Sequence, residues 1–282
     1  MATASVAARA ALAGNPSDGY GGAVTSIPVP TLAASAEVGP GDHANELVRS
    51  VLARWTRTFG SVGSGVTLRV DTSIPRSVGL AGSSAIVIAG LRALARHTDV
   101  VLDDEQTIQL AHSVEREDLG IPGGWQDQLS QTAGCPVAME FTPTRRATPL
   151  VPGRRIPFFV AWDEASAEPS GVVHAELSRT LAPGRPDVDA LAAQARLAAR
   201  AFEAGDVHAL KSTMEATLEL RFEAVPIADR HREMAEVARS CGVPCNFTGS
   251  GGAIVGVLPK SPTPFLETLT DAGLQTTTWE VG

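Results

Sequence analysis

The sequence predicts an α+β protein in two parts, and three observations carry that reading. Strand-like segments rich in branched and aromatic residues stand among segments whose apolar residues recur near every 3.6 positions. A glycine-rich loop, residues 75–85, lies between a strand candidate and a helix candidate. The tail reads strand, helix, strand, as in a split βαβ sandwich.

Taken in order, residues 1–13 are alanine-rich and interrupted by Arg9. No basic segment precedes them, so they read as a first strand rather than a secretion signal. Further strands are expected at 23–29, 66–71, 137–141, 156–162, 253–258 and 276–280. Helices are expected at 44–58, 84–97, 104–118, 188–204, 207–223, 228–241 and 264–272, with Gly273 as the stop of the last. Residues 143–155 are rich in Pro, Arg and Thr and read as a connection, which puts a domain boundary near residue 150.

Composition narrows the function. With 282 residues the chain is long enough for a sizeable core, and its 44% hydrophobic and 19% charged content fits a soluble globular protein. The net charge is −8 and no basic block appears, which disfavours nucleic acid as a partner. No apolar run approaches the roughly 20 residues needed to span a membrane. Three cysteines (Cys135, Cys241 and Cys245) suggest a reducing compartment, and the cytoplasm is the expected location. The Cys241/Cys245 spacing lacks a second ligand pair, so both read as plain thiols. The six histidines are scattered and show no paired spacing.

The loop from Pro75 to Ala85 reads P-R-S-V-G-L-A-G-S-S-A. Strand, glycine loop, helix is a phosphate-binding order, because the first N–H groups of the helix point outward unpaired and its dipole favours an anion. Gly79 and Gly82 let backbone approach a phosphate, with Leu80, Ala81 and Ala85 filling the motif. Ser83 and Ser84 are expected to cap the helix, one hydroxyl being placed to reach a metal ion. No Lys follows the last glycine, so this is not a Walker A loop. The plain alternative is a glycine-rich turn with a serine cap.

Farther on, a helix ends at Leu119-Gly120, and a Pro-Gly-Gly loop then delivers Asp127. An Asp so placed suits a general base or a group that orients an attacking hydroxyl. The alternative is that it caps the segment beginning at Gln128. Trp125, in the same loop, is open to two roles: stacking on a ligand ring, or anchoring the loop by packing.

Two more glycine-rich segments complete a pattern: Gly14-Asn-Pro-Ser-Asp-Gly-Tyr-Gly-Gly22 and Phe247-Thr-Gly-Ser-Gly-Gly-Ala253. With the central loop between them, the chain resembles the GHMP kinase superfamily, and within it the glucuronokinase and galactokinase-like sugar kinases. The resemblance implies a two-domain α+β fold. Residues 1–150 would be an N-terminal ribosomal-protein-like α/β domain holding ATP and substrate, and residues 151–282 a C-terminal ferredoxin-like α+β sandwich. The cleft between them would be the active site. It implies ATP and Mg²⁺ as cofactors, and phosphoryl transfer to a hydroxyl of a sugar or sugar acid, at the anomeric position in the glucuronokinase subgroup.

The resemblance also assigns roles. Gly124-Trp-Gln-Asp-Gln128 is similar to the galactokinase Gly-x-x-Asp-Gln, so Asp127 is the implied acid/base carboxylate. Arg9 stands five residues before Gly14 and is its implied charge partner. Glu115 is the implied magnesium ligand with Ser84, while Glu117 and Asp118 compete for that role. Asn15, Asp18, Arg76, Gly249, Ser250 and Gly251 are implied on the substrate side, Asp18 accepting hydrogen bonds from substrate hydroxyls. Arg9 as a surface charge and Asp18 as a turn residue are the competing readings. Asn15-Pro16 stands where galactokinases have Glu-His, and Asn246 replaces a Lys usual before the last motif. The resemblance leaves open a homodimer, an amino-acid or polyol acceptor as in homoserine kinases, and a sugar or nucleotide sensor that has lost turnover. The retained Asp127, Glu115 and Ser84 weigh against the sensor.

Overall fold

A computed structural model describes residues 2–41, 45–166, 181–249 and 251–282. The chain opens on a long hairpin of β1 (Thr3–Ala13) and β2 (Ala23–Pro40), joined by a single 3₁₀ turn, Ser17–Tyr20. Then come α1 (Glu46–Phe59), β3 (Val66–Thr72), α2 (Gly82–Thr98), α3 (Asp104–Ser113), α4 (Gln126–Ala133), β4 (Val137–Glu140) and β5 (Arg146–Pro149). These five strands form one antiparallel sheet centred on β2, which pairs β1 along one edge. Its other edge pairs β4 at the start of the strand and β3 at the end.

The second sheet has the order β7-β8-β6-β9, from β6 (Ile156–Trp162), β7 (Cys245–Phe247), β8 (Ala253–Val257) and β9 (Gln275–Val281). It is also antiparallel throughout. Helices α5 (Pro186–Ala204), α6 (Val207–Ala224), α7 (Asp229–Ser240) and α8 (Pro262–Asp271) belong to this half of the chain. Helix α5 reaches back onto the first sheet, where Thr25 Oγ1 donates to the Ala195 carbonyl at 2.8 Å. Among the described residues no helix is long and apolar enough to cross a membrane, and all three cysteines are free.

Local sequence explains the helices that wall the site. In α1, Val48, Val51, Leu52 and Trp55 recur at helical spacing and are buried, while Asn45 caps the first turn by accepting from the Val48 N–H at 2.8 Å. Helix α2 is buried on nearly every side, Val87, Ile88, Leu91 and Leu94 being fully enclosed between the sheet and its neighbouring helices. Burying such side chains contributes about 1.5–3 kcal/mol each. A second apolar cluster joins Phe159, Met234, Phe247, Ile254 and Phe265 across the second sheet, α7 and α8.

Several sequence expectations need correction. Strand β2 runs to Pro40, not Val29. Pro28 and Pro30 look like terminators, yet the ladder absorbs them by slipping register there, Ala7 facing Ala33 while Ala8 faces Val29. The expected helix 104–118 changes character at Val114, where the Leu119 N–H reaches back five residues to the Val114 carbonyl, a π-type turn over Val114–Asp118. The connection 143–155 contains β5, and the short elements α4 and β7 carry too few residues to show a period. Residue 44, expected to start α1, lies outside the described residues.

Candidate active site

The site is built on β1. Its residues 8–13 are buried on both faces, so Arg9, only 4% exposed, must be paired. Its Nε and Nη2 both donate to Asp127 Oδ1, at 2.9 and 2.6 Å. Its Nη1 donates to the Gly79 carbonyl at 2.6 Å and to Thr248 Oγ1 at 2.9 Å. The Thr248 hydroxyl in turn donates to the same Gly79 carbonyl at 3.1 Å and accepts from the Ala11 N–H at 3.2 Å. The central and last glycine-rich motifs and the Asp127 loop thus meet around one guanidinium and one hydroxyl.

Gly79 is required at this junction. It holds φ +78°, and a Cβ there would lie 2.3 Å from the Thr248 carbonyl oxygen and 2.8 Å from that of Gly251. Helix α2 then starts from Ala81, itself left-handed at φ 60° and without a side-chain cap. Ser83 and Ser84 therefore do not cap this helix, contrary to expectation. Both hydroxyls turn to Glu115 instead, donating to Oε1 and Oε2 at 2.6 Å each. Gln128 also donates to Glu115 Oε2. The π-type turn swings Glu115 inward, and the carboxylate is 6% exposed with only neutral donors around it. Burial pushes its pKa up against the hydrogen bonds from Ser83 and Ser84.

These residues border a cleft of about 830 Å³. Arg9, Asn15, Asp18, Arg76, Gly79 through Ser83, Glu115, Asp127 and Gly249 line it. Ser84 sits behind this wall against Glu115, Ala85 is enclosed in α2, and Gly251 packs on the His231 ring. Ser250 lies outside the described residues. Leu47, Ile74, Pro75 and Ile86 add apolar wall to the cleft. Asp18 touches the backbone at Gly124, where a Cβ would come 2.4 Å from its Oδ2. Burial, then the nearby Asp127 charge, raise the Asp18 pKa to about 6, with Arg9 pulling the other way. Asp127 lies in the first turn of α4 rather than at its cap position, which Trp125 occupies. Of the competitors to Glu115, Glu117 and Asp118 are turned to Arg54 of α1, with Oε2 and Oδ2 both at 2.8 Å from the guanidinium.

Sequence reading passed over some residues of the site. Thr248 stands inside the last glycine-rich segment, but a hydroxyl carries no period. Arg221 of α6 is 1% exposed and donates through Nη1 to the Phe247 and Gly249 carbonyls at 3.1 and 3.2 Å. Asn15 donates to the same two carbonyls at 2.8 and 3.2 Å, and receives Asn246 Nδ2 at 2.9 Å. Burial drags the Arg221 pKa down to about 9. Gln131, one turn after Asp127, donates to the Ala7 and Ala81 carbonyls at 3.0 Å each. No group of three or more His, Cys, Asp or Glu side chains able to hold a metal occurs among the described residues. Two serine hydroxyls and one buried carboxylate nonetheless form a hard-oxygen set. Such a set fits Mg²⁺ when substrate phosphates complete the shell.

Residues 46–135 match the family described as GHMP kinases N terminal domain. The chain is 30% identical to probable glucuronokinase 2 of Arabidopsis thaliana over 90% of its own length and 84% of that protein. It is 28% identical to glucuronokinase 1 of the same plant, with the same shares of each chain covered. Among solved structures, Streptococcus pneumoniae phosphomevalonate kinase in complex with phosphomevalonate and AMPPNP superposes with a TM-score of 0.82, covering 100% of both chains at 14% identity.

Proposed function

The chain belongs to the GHMP kinase family of ATP-dependent phosphotransferases, and on that premise we propose that its acceptor is a sugar or sugar acid, phosphorylated at the anomeric hydroxyl. The acceptor class rests on the similarity to plant glucuronokinases across most of both chains. The chemistry rests on one observation: a buried guanidinium fixes one oxygen of Asp127 at the edge of a cleft bordered by a glycine loop.

Asp127 is the catalytic carboxylate. Arg9 holds Oδ1, and Oδ2 has no hydrogen-bond partner among the described residues, so it is free to accept the acceptor hydroxyl. Arg9 keeps the carboxylate oriented, and catalysis is then positioning and electrostatics. The backbone from Gly79 to Ser84 receives the ATP phosphates at the start of α2. Ser84 and Glu115, with Ser83 sharing the carboxylate, would hold Mg²⁺, which supplies charge neutralisation of the phosphates. Asn15, Asp18, Arg76 and Gly249, all on the cleft wall, contact the acceptor. The three free cysteines support a reducing, cytoplasmic setting.

The test is an ATP-consumption screen over hexuronic acids, hexoses, polyols and homoserine, followed by phosphorus NMR of the product. A sugar 1-phosphate is expected. Turnover of homoserine with no sugar turnover overturns the acceptor assignment.

A further inference from the structure

Trp125 stands two residues before Asp127, and both faces of its indole are covered. The His112 ring stacks on it with centroids 3.4 Å apart and planes 7° apart. The guanidinium carbon of Arg145 lies 3.9 Å from the centroid of the indole. Two groups this close to one centroid cannot share a face, so they sandwich the ring. No face remains on which a sugar or a base can stack. Arg145 is ion-paired to Glu105, and Glu105 and His112 both belong to α3. The ring's neighbours are otherwise the apolar cluster of Ile108, Leu129 and Met139.

This packing stands at the end of a glycine-rich loop that is also held by the Ile121 N–H on the Glu115 carbonyl at 2.8 Å and by Asp18 against Gly124. The loop leading to Asp127 carries Gly120, Gly123 and Gly124. Helix α4 has no side-chain cap, and its first backbone bond runs from the Leu129 N–H to the Trp125 carbonyl at 3.1 Å. The ring thus anchors the residue that begins the helix bearing Asp127. His112 lies one helical turn before Glu115, so the same stretch of chain also supports the carboxylate bonded to both serines.

We propose that the His112–Trp125–Arg145 sandwich is a positioning device that holds the start of α4 so that Asp127 meets Arg9 and the acceptor. This rests on the reading of Asp127 as the catalytic carboxylate. The groups facing His112 are Trp125, Arg145, Arg116 and Glu117. Burial first, then the two guanidinium charges, lower the His112 pKa to about 4, so the imidazole stacks as a neutral ring at working pH.

Trp125→Leu keeps apolar bulk but removes the flat ring; Trp125→Phe keeps a ring; Arg145→Gln removes one cover. Each is made alone and with Asp127→Asn, and kcat, the KM for ATP and Tm are measured. A displaced reacting group costs about 10- to 100-fold, so Trp125→Leu and Arg145→Gln should lower kcat by that order, Trp125→Phe much less. The KM for ATP should stay within about twofold, because uniform binding is untouched. In the Asp127→Asn background the Trp125→Leu change should cost nothing further. Wild-type kcat in both Trp125→Leu and Arg145→Gln, or a full further fall in the Asp127→Asn background, overturns the proposal. If Trp125→Leu does not fold, Arg145→Gln gives the same readout. Asp127→Asn at wild-type rate would instead sink the reading of Asp127 and the proposal together.

Discussion

Arg9 spends two of its donors on a single oxygen of Asp127, and the two residues are 118 positions apart in the chain. The arrangement is asymmetric. Arg9 is 5% exposed at its side chain and Asp127 is 32% exposed, so the cation is locked in the core while the carboxylate opens to the cleft. One carboxylate oxygen is fixed and the other is available, which is what a group that orients a hydroxyl requires.

Asp127→Asn keeps the shape and removes the charge. Losing a positioned acid/base group costs on the order of 10²–10⁴-fold, so kcat should fall by that factor with ATP affinity nearly unchanged. Arg9→Ala should be comparably damaging, and the double variant less than additive, because the pair acts as a unit. Steady-state kinetics on the four proteins decide it. If Asp127→Asn is near wild type while Asp18→Asn is dead, Asp18 holds the role.

Residue patterns reveal the parts of this site that are contiguous in sequence. The glycine loop, the serine pair and the Asp127 loop all declare themselves within a dozen residues each. What closes the site does not. Thr248 bonds Arg9 across 239 positions, and Arg221 reaches the Gly249 carbonyl from a helix whose pattern shows only that it is amphipathic. The serines lie beside Glu115, where the Ser84–Glu115 pair is expected, but they leave the helix uncapped for a physical reason. A serine at a helix start normally caps it, but a left-handed Ala81 and a buried carboxylate opposite redirect both hydroxyls. The π-type turn was likewise illegible, since one extra residue in a turn barely disturbs a 3.6-residue period.

Glu115 is a buried carboxylate held by neutral donors, which suits it to receive a cation. Glu115→Gln should raise the Mg²⁺ concentration needed for half-maximal activity by about 10- to 100-fold, the range seen when metal-site partners are removed. Without metal the same change removes a buried charge, so Tm should hold or rise. An unchanged Mg²⁺ requirement in the folded variant would remove Glu115 from the metal site.

Two glycines of one motif should behave differently. Gly79→Ala drives a Cβ into two backbone carbonyls at a positive φ, and should cost a few kcal/mol of stability. Gly82 has no such conflict, since its Cβ would meet the Ile74 side chain at 3.4 Å. Gly82→Val should fold, yet lose nucleotide affinity by placing a side chain at the cleft wall. Thermal unfolding and ATP titration separate the two effects. A folded Gly82→Val protein with unchanged ATP affinity would end the phosphate-loop assignment.

Asp18 supplies a pH test with a defined sign. Its pKa in the folded protein is raised from 3.8 to about 6, by burial first and the Asp127 charge second. The folded state therefore holds this proton more tightly than the unfolded chain does. Between about pH 4 and pH 6 the native state binds more protons, so stability falls as pH rises through that window, and above it the cost is complete. At about 1.4 kcal/mol per pKa unit the ceiling is roughly 3 kcal/mol. Asp18→Asn should accordingly be more stable than wild type at pH 8, with the gain fading as the pH drops through 6 and gone near 4. Function should move the opposite way. The ionised carboxylate accepts more strongly and at both oxygens, whereas protonation turns one of them into a donor, so if Asp18 binds acceptor hydroxyls the wild-type KM for the acceptor should improve as pH rises through about 6. In Asp18→Asn that inflection should vanish and the KM should stay high throughout. Unfolding curves and acceptor KM values from pH 4.5 to 8.5 measure both. A variant that keeps the wild-type inflection would show that another group titrates there and that Asp18 does not bind the acceptor.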